Sequence, residues 1–122
     1  TSAVGCALGI ERIIEALKLD GVEATNIKKA KLFLVYIGDL AKKRALSLIE
    51  LLRQNNIYIS EAFGKDIMKK QMHLANKGGY PFALILGQKE VFEDSIIIRD
   101  LKSGTQESMP MGRLIAELKK RI

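Results

Sequence analysis

From Lys31 to Leu52 the chain runs KLFLVYIGDLAKKRALSLIELL. Leu32 to Ile37 is continuously apolar and β-favouring, the pattern of a strand buried on both faces. Asp39 offers a helix N-cap. Behind it Ala41, Ala45, Leu48 and Leu52 recur at helical spacing, with Lys42, Lys43, Glu50 and Arg53 elsewhere on the wheel. A doubly buried strand followed at once by an amphipathic helix is the opening of a βα unit, which calls for a parallel sheet covered by helices.

Downstream the pattern repeats and then changes. Ile57 to Ser60 reads as a short strand, and Asn55-Asn56 ends the helix before it. Met68, Met72 and Ala75 mark the apolar stripe of a second helix, with Lys69, Lys70, His73 and Lys77 largely off it; Gly78-Gly79 stops that helix. Pro81 opens the strand PFALILG, where a missing N–H is tolerated. Ser95 to Leu101 is a fourth strand, Lys102-Ser103-Gly104 a hairpin turn, and Thr105 to Ser108 a fifth strand. Pro110 stands where a first helical turn begins, and Leu114, Ile115 and Leu118 face inward from the last helix. The order β-α-β-α-β-β-β-α predicts an α/β fold: a mixed five-stranded sheet flanked by three helices, with the first strand central. Residues 1–18 fall outside this pattern and read as a short strand and a helix around Glu11 to Leu17. Residues 19–30 are polar and mixed, a linker, so the α/β domain is expected over 31–122.

Composition narrows the chemistry. A chain of 122 residues is one domain's worth. It carries a net charge of +6, which favours a polyanionic partner such as nucleic acid. The basic residues cluster at Lys28-Lys29-Ala30-Lys31, Lys42-Lys43-Arg44, Lys69-Lys70 and Lys119-Lys120-Arg121. Cys6 is the single cysteine, so no internal disulfide forms, which fits a reducing compartment. No apolar run reaches the ~20 residues of a membrane span. A Walker-type phosphate loop, a GxGxxG turn and a C-x-x-C pair are absent. With His73 the only histidine, neither a multi-histidine metal site nor a histidine triad is expected. A binding module is favoured over an enzyme.

In open α/β sheets, ligands bind outside the carboxyl ends of the strands. Those ends are Gly38-Asp39, Glu61 to Lys65, and Gly87 to Glu90. Glu61, Phe63 and Lys65 set an acid, an aromatic and a base within five residues, the mixture that reads single-stranded RNA by stacking, base-edge hydrogen bonds and phosphate contacts. Lys69, Lys70 and Arg44 are candidates for backbone phosphates. Gln88 and Glu90 complete the candidate set at the third strand end.

Ala7-Leu8-Gly9-Ile10-Glu11-Arg12 resembles the third signature motif of the class II aminoacyl-tRNA synthetases. The stretches KLFLVYIG, MKKQMHLANKGGYPFALILGQKEV and SIIIRDLKSGTQESMP resemble the C-terminal anticodon-binding domain of that class, most closely of the histidyl-tRNA synthetases. The likeness rests on Lys70, Gln71, Ala75, Gly79, Leu86, Gly87, Glu90, Asp100, Leu101, Gly104 and Gln106, in the right order across nearly the whole chain.

This resemblance implies an anticodon stem-loop of a histidine tRNA as partner. It implies a cytoplasmic parent enzyme, a homodimer, that joins histidine to its tRNA with ATP and Mg2+, giving AMP and pyrophosphate. Arg12 would contact the nucleotide phosphates, Gly9 would let the backbone approach the nucleotide, and Glu11 would orient. The first two signature motifs and the histidine-binding loops are missing, so residues 1–18 are expected to be the C-terminal remnant of a catalytic domain and the chain alone to be inactive. Two alternatives keep the same fold: a regulatory paralogue that senses tRNA or stimulates a biosynthetic transferase, and the matching domain of a threonyl-, prolyl- or glycyl-tRNA synthetase. The RDLKSGTQ hairpin points to the histidine type.

Overall fold

All five residues of β1 (Leu32–Tyr36) are buried, because the strand has helices over both faces. The computed structural model describes residues 1–23, 29–62, 64 and 67–122. After an N-terminal helix α1 (Ile10–Leu19) and β1 come α2 (Asp39–Gln54), β2 (Ile59–Glu61), α3 (Met68–Lys77), β3 (Phe82–Leu86), a short α4 (Gln88–Phe92), β4 (Ser95–Asp100), β5 (Gln106–Pro110) and α5 (Leu114–Arg121), the last preceded by a 3-10 turn. The sheet order is β2-β1-β3-β4-β5. β1 is parallel to both β2 and β3, whereas β4 and β5 are antiparallel additions.

The expected mixed five-stranded sheet is therefore present. β1 is an interior strand, but the middle position belongs to β3, because only the three-residue β2 lies outside β1. Strand alternation divides the core in two. Leu32, Leu34 and Tyr36 meet Ala41, Ala45, Leu48 and Leu52 of α2 and Leu114 and Leu118 of α5. Phe33 and Val35 meet Ala75 of α3 and Ile85 of β3 on the opposite face. Each fully buried Leu contributes about 1.5–3 kcal/mol, so the α2/α5 face carries most of the apolar stabilisation.

The α3 face is held by a polar contact instead. The odd-numbered backbone groups of β1 point to β3, as Ile37 N–H donating to Leu86 O at 3.0 Å continues to do. Tyr36 therefore faces the β2 side, but β2 pairs only as far as Leu34. Gln71, fully buried, takes the vacant place. Its Oε1 accepts from the Tyr36 N–H at 3.0 Å and its Nε2 donates to the Tyr36 carbonyl at 2.8 Å. One side chain thus extends the ladder beyond the end of the edge strand and satisfies both backbone groups.

Gln71 also explains a rotated helix. The expected stripe was Met68, Met72 and Ala75; Ala75 is buried and Met72 is half-buried against the same core, but the second fully buried position of α3 is Gln71, and Met68 is exposed. β2 starts two residues later than expected, because Ile57 belongs to the termination of α2: its N–H donates to Leu52 O at 2.9 Å, with Asn56 at φ 59° between them. This is a left-handed C-terminal stop with an apolar residue closing it. At the N-terminus the helix is found but no strand precedes it, and none of α1 is buried. The hairpin motif RDLKSG has a local cause. Asp100 Oδ1 accepts from the N–H of Lys102 at 2.7 Å and of Ser103 at 3.0 Å, and Gly104 takes φ +76°. Hydrogen bonds from Ser103 and then Lys102 hold the Asp100 carboxyl below its ordinary range.

Gln71→Leu keeps the volume and strands both Tyr36 groups. Each unsatisfied buried group costs about 1–3 kcal/mol, so the urea midpoint is expected to fall by the equivalent of about 2–5 kcal/mol. An unchanged midpoint would remove Gln71 from this role.

Candidate nucleic-acid interface

α3 presents its basic side chains in a row. Lys69, His73 and Lys77 are spaced by four residues and so lie on one stripe, with Lys70 beside them. Lys69, Lys70, His73 and Leu74 border a shallow depression of about 390 Å³. None of these lysines has an ion-pair partner among the described residues. Several cations elsewhere are paired: Arg53 with Glu50 at 2.9 Å, Arg121 with Glu107 at 2.7 Å, Lys120 with Glu117 at 3.3 Å.

The stripe leads down the face to a cleft of about 580 Å³ lined by Phe33, Glu61, Ala62, Leu74, Lys77, Gly78 and Tyr80. The Phe33 and Tyr80 rings lie 5.2 Å apart at 54°. Two glycines make this possible. A Cβ at Gly78 would run into the Tyr80 ring, and Gly79 turns the chain at φ +69°. Glu61 is half-buried, and its Oε2 is enclosed with no hydrogen-bond partner among the described residues. Burial pushes its carboxyl above the ordinary value of 4.5.

At the strand ends the remaining candidates are engaged with the protein. Glu90 Oε2 accepts from the Gly87 N–H at 3.0 Å and caps α4. Gln88 lies over Gly38, where a Cβ would stand 3.2 Å from that amide and the φ of +88° would strain any side chain. Arg44 Nη2 donates to Asp94 Oδ1 at 2.8 Å, tying α2 to the turn after α4 on the sheet face opposite α3. Phe63 and Lys65 lie outside the described residues.

Lys69 and Lys70 thus share one surface, with Glu61 at the rim of the adjoining cleft, whereas Arg44 is on the other face. Sequence reasoning missed Lys77 and Tyr80 as members of the site. The four-residue spacing from Lys69 through His73 was the available signal for Lys77; nothing local marks Tyr80, which is placed by Gly78. Arg12, Glu11 and Gly9 stand on exposed α1 and the turn before it, with Gly9 at the N-cap. Arg12 is exposed on α1. No cluster of three or more acidic, His or Cys side chains suited to a metal occurs among the described residues, and none of their helices is long and apolar enough to cross a membrane.

The raised Glu61 pKa gives a signed prediction. Between the ordinary pKa and the raised one, the folded state holds a proton that the unfolded chain has released, so stability falls as pH rises across that window and stays lower above it. Glu61→Gln is expected to be more stable than the parent chain at pH 7, with the gain shrinking as pH falls from the raised pKa toward the ordinary 4.5 and gone once the unfolded carboxyl is protonated as well. A less stable variant at pH 7 would show that the buried carboxylate has a partner.

The sequence family described as anticodon binding domain matches residues 31–121. A histidine–tRNA ligase of Dehalococcoides mccartyi is 35% identical over 122 residues, covering 100% of this chain and 29% of the relative. The crystal structure of histidyl-tRNA synthetase from Nostoc sp. superposes with a TM-score of 0.71 at 29% identity, covering 93% of this chain and 28% of that one. The RNA binding domain of a Cryptosporidium parvum threonyl-tRNA synthetase shares the fold alone, with a TM-score of 0.68 at 15% identity over 75% of this chain and 23% of that one. The chain spans under a third of its relatives' length. On the match over residues 31–121, this chain belongs to the anticodon-binding domain family, and along its whole length it is similar to part of the histidine–tRNA ligases.

Proposed function

We propose that this chain binds the anticodon stem-loop of a histidine tRNA through the α3 face. One observation carries the reading: the unpaired row Lys69, Lys70, His73, Lys77 runs directly into an aromatic cleft. The lysines take backbone phosphates, and the Phe33–Tyr80 cleft takes an unstacked base, whose edge Glu61 reads. Phe63 and Lys65, which fall between β2 and α3 in sequence, belong to the same surface in this reading. Gln88 and Glu90 act at the strand ends, and Arg44 joins only by releasing Asp94.

The whole protein, in this proposal, is a cytoplasmic homodimer that joins histidine to its tRNA with ATP and Mg2+. Residues 1–18 are then the end of its catalytic domain, 19–30 the linker and 31–122 the tRNA-binding domain. Arg12 would complete an ATP site built by other parts of that protein, with Gly9 and Glu11 beside it. The chain as given, with Arg12 exposed, is expected to give no histidine-dependent exchange of pyrophosphate into ATP.

The test is binding of the histidine anticodon stem-loop against a non-cognate loop across a salt series. Lys69→Ala and Lys70→Ala are each expected to weaken binding and to reduce the slope of log K on log salt by about 0.7–0.9, one phosphate contact each. Equal affinity for both loops, or slopes unmoved by either substitution, would sink the reading.

A further inference from the structure

A second basic cleft, of about 560 Å³, opens at the amino ends of the strands. It is bordered by Lys29, Lys31, Asn55, Asn56, Tyr58 and Lys119, and no acidic side chain lines it. The cleft lies on the α2/α5 side of edge strand β2, away from α3. Tyr58 is 44% exposed there, although it stands directly between two core-facing residues, Ile57 and Ile59. Asn55 Nδ2 is used in capping Leu51 O at 2.9 Å, which holds the side chain at the rim. Lys31 Nζ donates to the Ile122 carbonyl at 3.1 Å, which joins α5 to the start of β1 and forms one wall. Lys29 and Lys119 have no ion-pair partner among the described residues, although the neighbouring Arg53, Lys120 and Arg121 all do.

We propose that this cleft is a second RNA-binding site, in which one unstacked base lies on Tyr58 and the flanking phosphates lie on Lys29 and Lys119. The chemistry is that of single-strand recognition: an exposed aromatic platform, free cations lining the same cleft, and amides at the rim. The competing role for the lysines is to offset the carbonyl ends of α2 and α5, which terminate here. That role would show in stability and would leave RNA binding unaffected.

Tyrosine fluorescence separates the two. The chain has three tyrosines and no tryptophan. Tyr36 is buried, so in a Tyr80→Phe background the accessible signal is that of Tyr58. A short oligouridylate is expected to quench it in a salt-dependent manner. Lys29→Ala with Lys119→Ala is expected to lower the slope of log K on log salt by about 1.4, whereas Lys69→Ala with Lys70→Ala leaves the quench in place. Loss of stem-loop binding in the α3 variants alone therefore reports on the α3 face and not on this cleft. No quench, a quench indifferent to Lys29 and Lys119, or equal quenching by polyglutamate would overturn the proposal.

Discussion

The amide of Gln71 on the backbone of Tyr36 is the contact from which the arrangement of the α3 face follows. β1 needs cover on two faces and partners on two edges. The first need is met by apolar burial, while the second fails where β2 stops after three residues. A buried backbone N–H and C=O without partners would cost more than most single side-chain contacts return. Gln71 meets that need from a helix, and so fixes the rotation of α3 about its own axis. Once Gln71 and Ala75 face inward, the four-residue period places Lys69, His73 and Lys77 outward in a row. The cationic surface is in this sense a consequence of how the sheet edge is finished.

The two faces of the sheet divide the labour. The α2/α5 face is apolar, extensive and laced at its rim by ion pairs, and it carries the stability. The α3 face has a small core of four buried residues with Gln71 above it, and it holds unpaired charge, a half-buried carboxyl and an open aromatic cleft. RNA would neutralise the lysine row and occupy the cleft beside Glu61.

The elements written in periodicity were legible in the sequence. β1 is apolar throughout, and α2 repeats Ala41, Ala45, Leu48 and Leu52, so both were readable. Gln71 was not, because a polar residue on an apolar stripe looks like a solvent position until the strand beside it is known to stop early. The start of β2 was obscured because Ile57 is apolar for a different reason, the closing of a helix end. In the site, Lys69 and Lys70 stood out as charges, but the ion pair that engages Arg44 involves Asp94, fifty positions away, and no local pattern signals it. Tyr80 was hidden likewise, since its place depends on the absence of a side chain at Gly78. The motif residues Glu90 and Asp100 prove to be a helix cap and a turn former. Part of what marks the family in sequence is thus the local geometry that holds the strand ends and the hairpin.

The central claim is that RNA meets the α3 face. An amide-resolved NMR titration of the chain with the histidine anticodon stem-loop tests it most directly. If RNA meets the α3 face, the largest shift changes fall on residues 69–80 and on Phe33, with those of β4 and β5 nearly still. Changes concentrated on β4 and β5, with α3 unmoved, would contradict it.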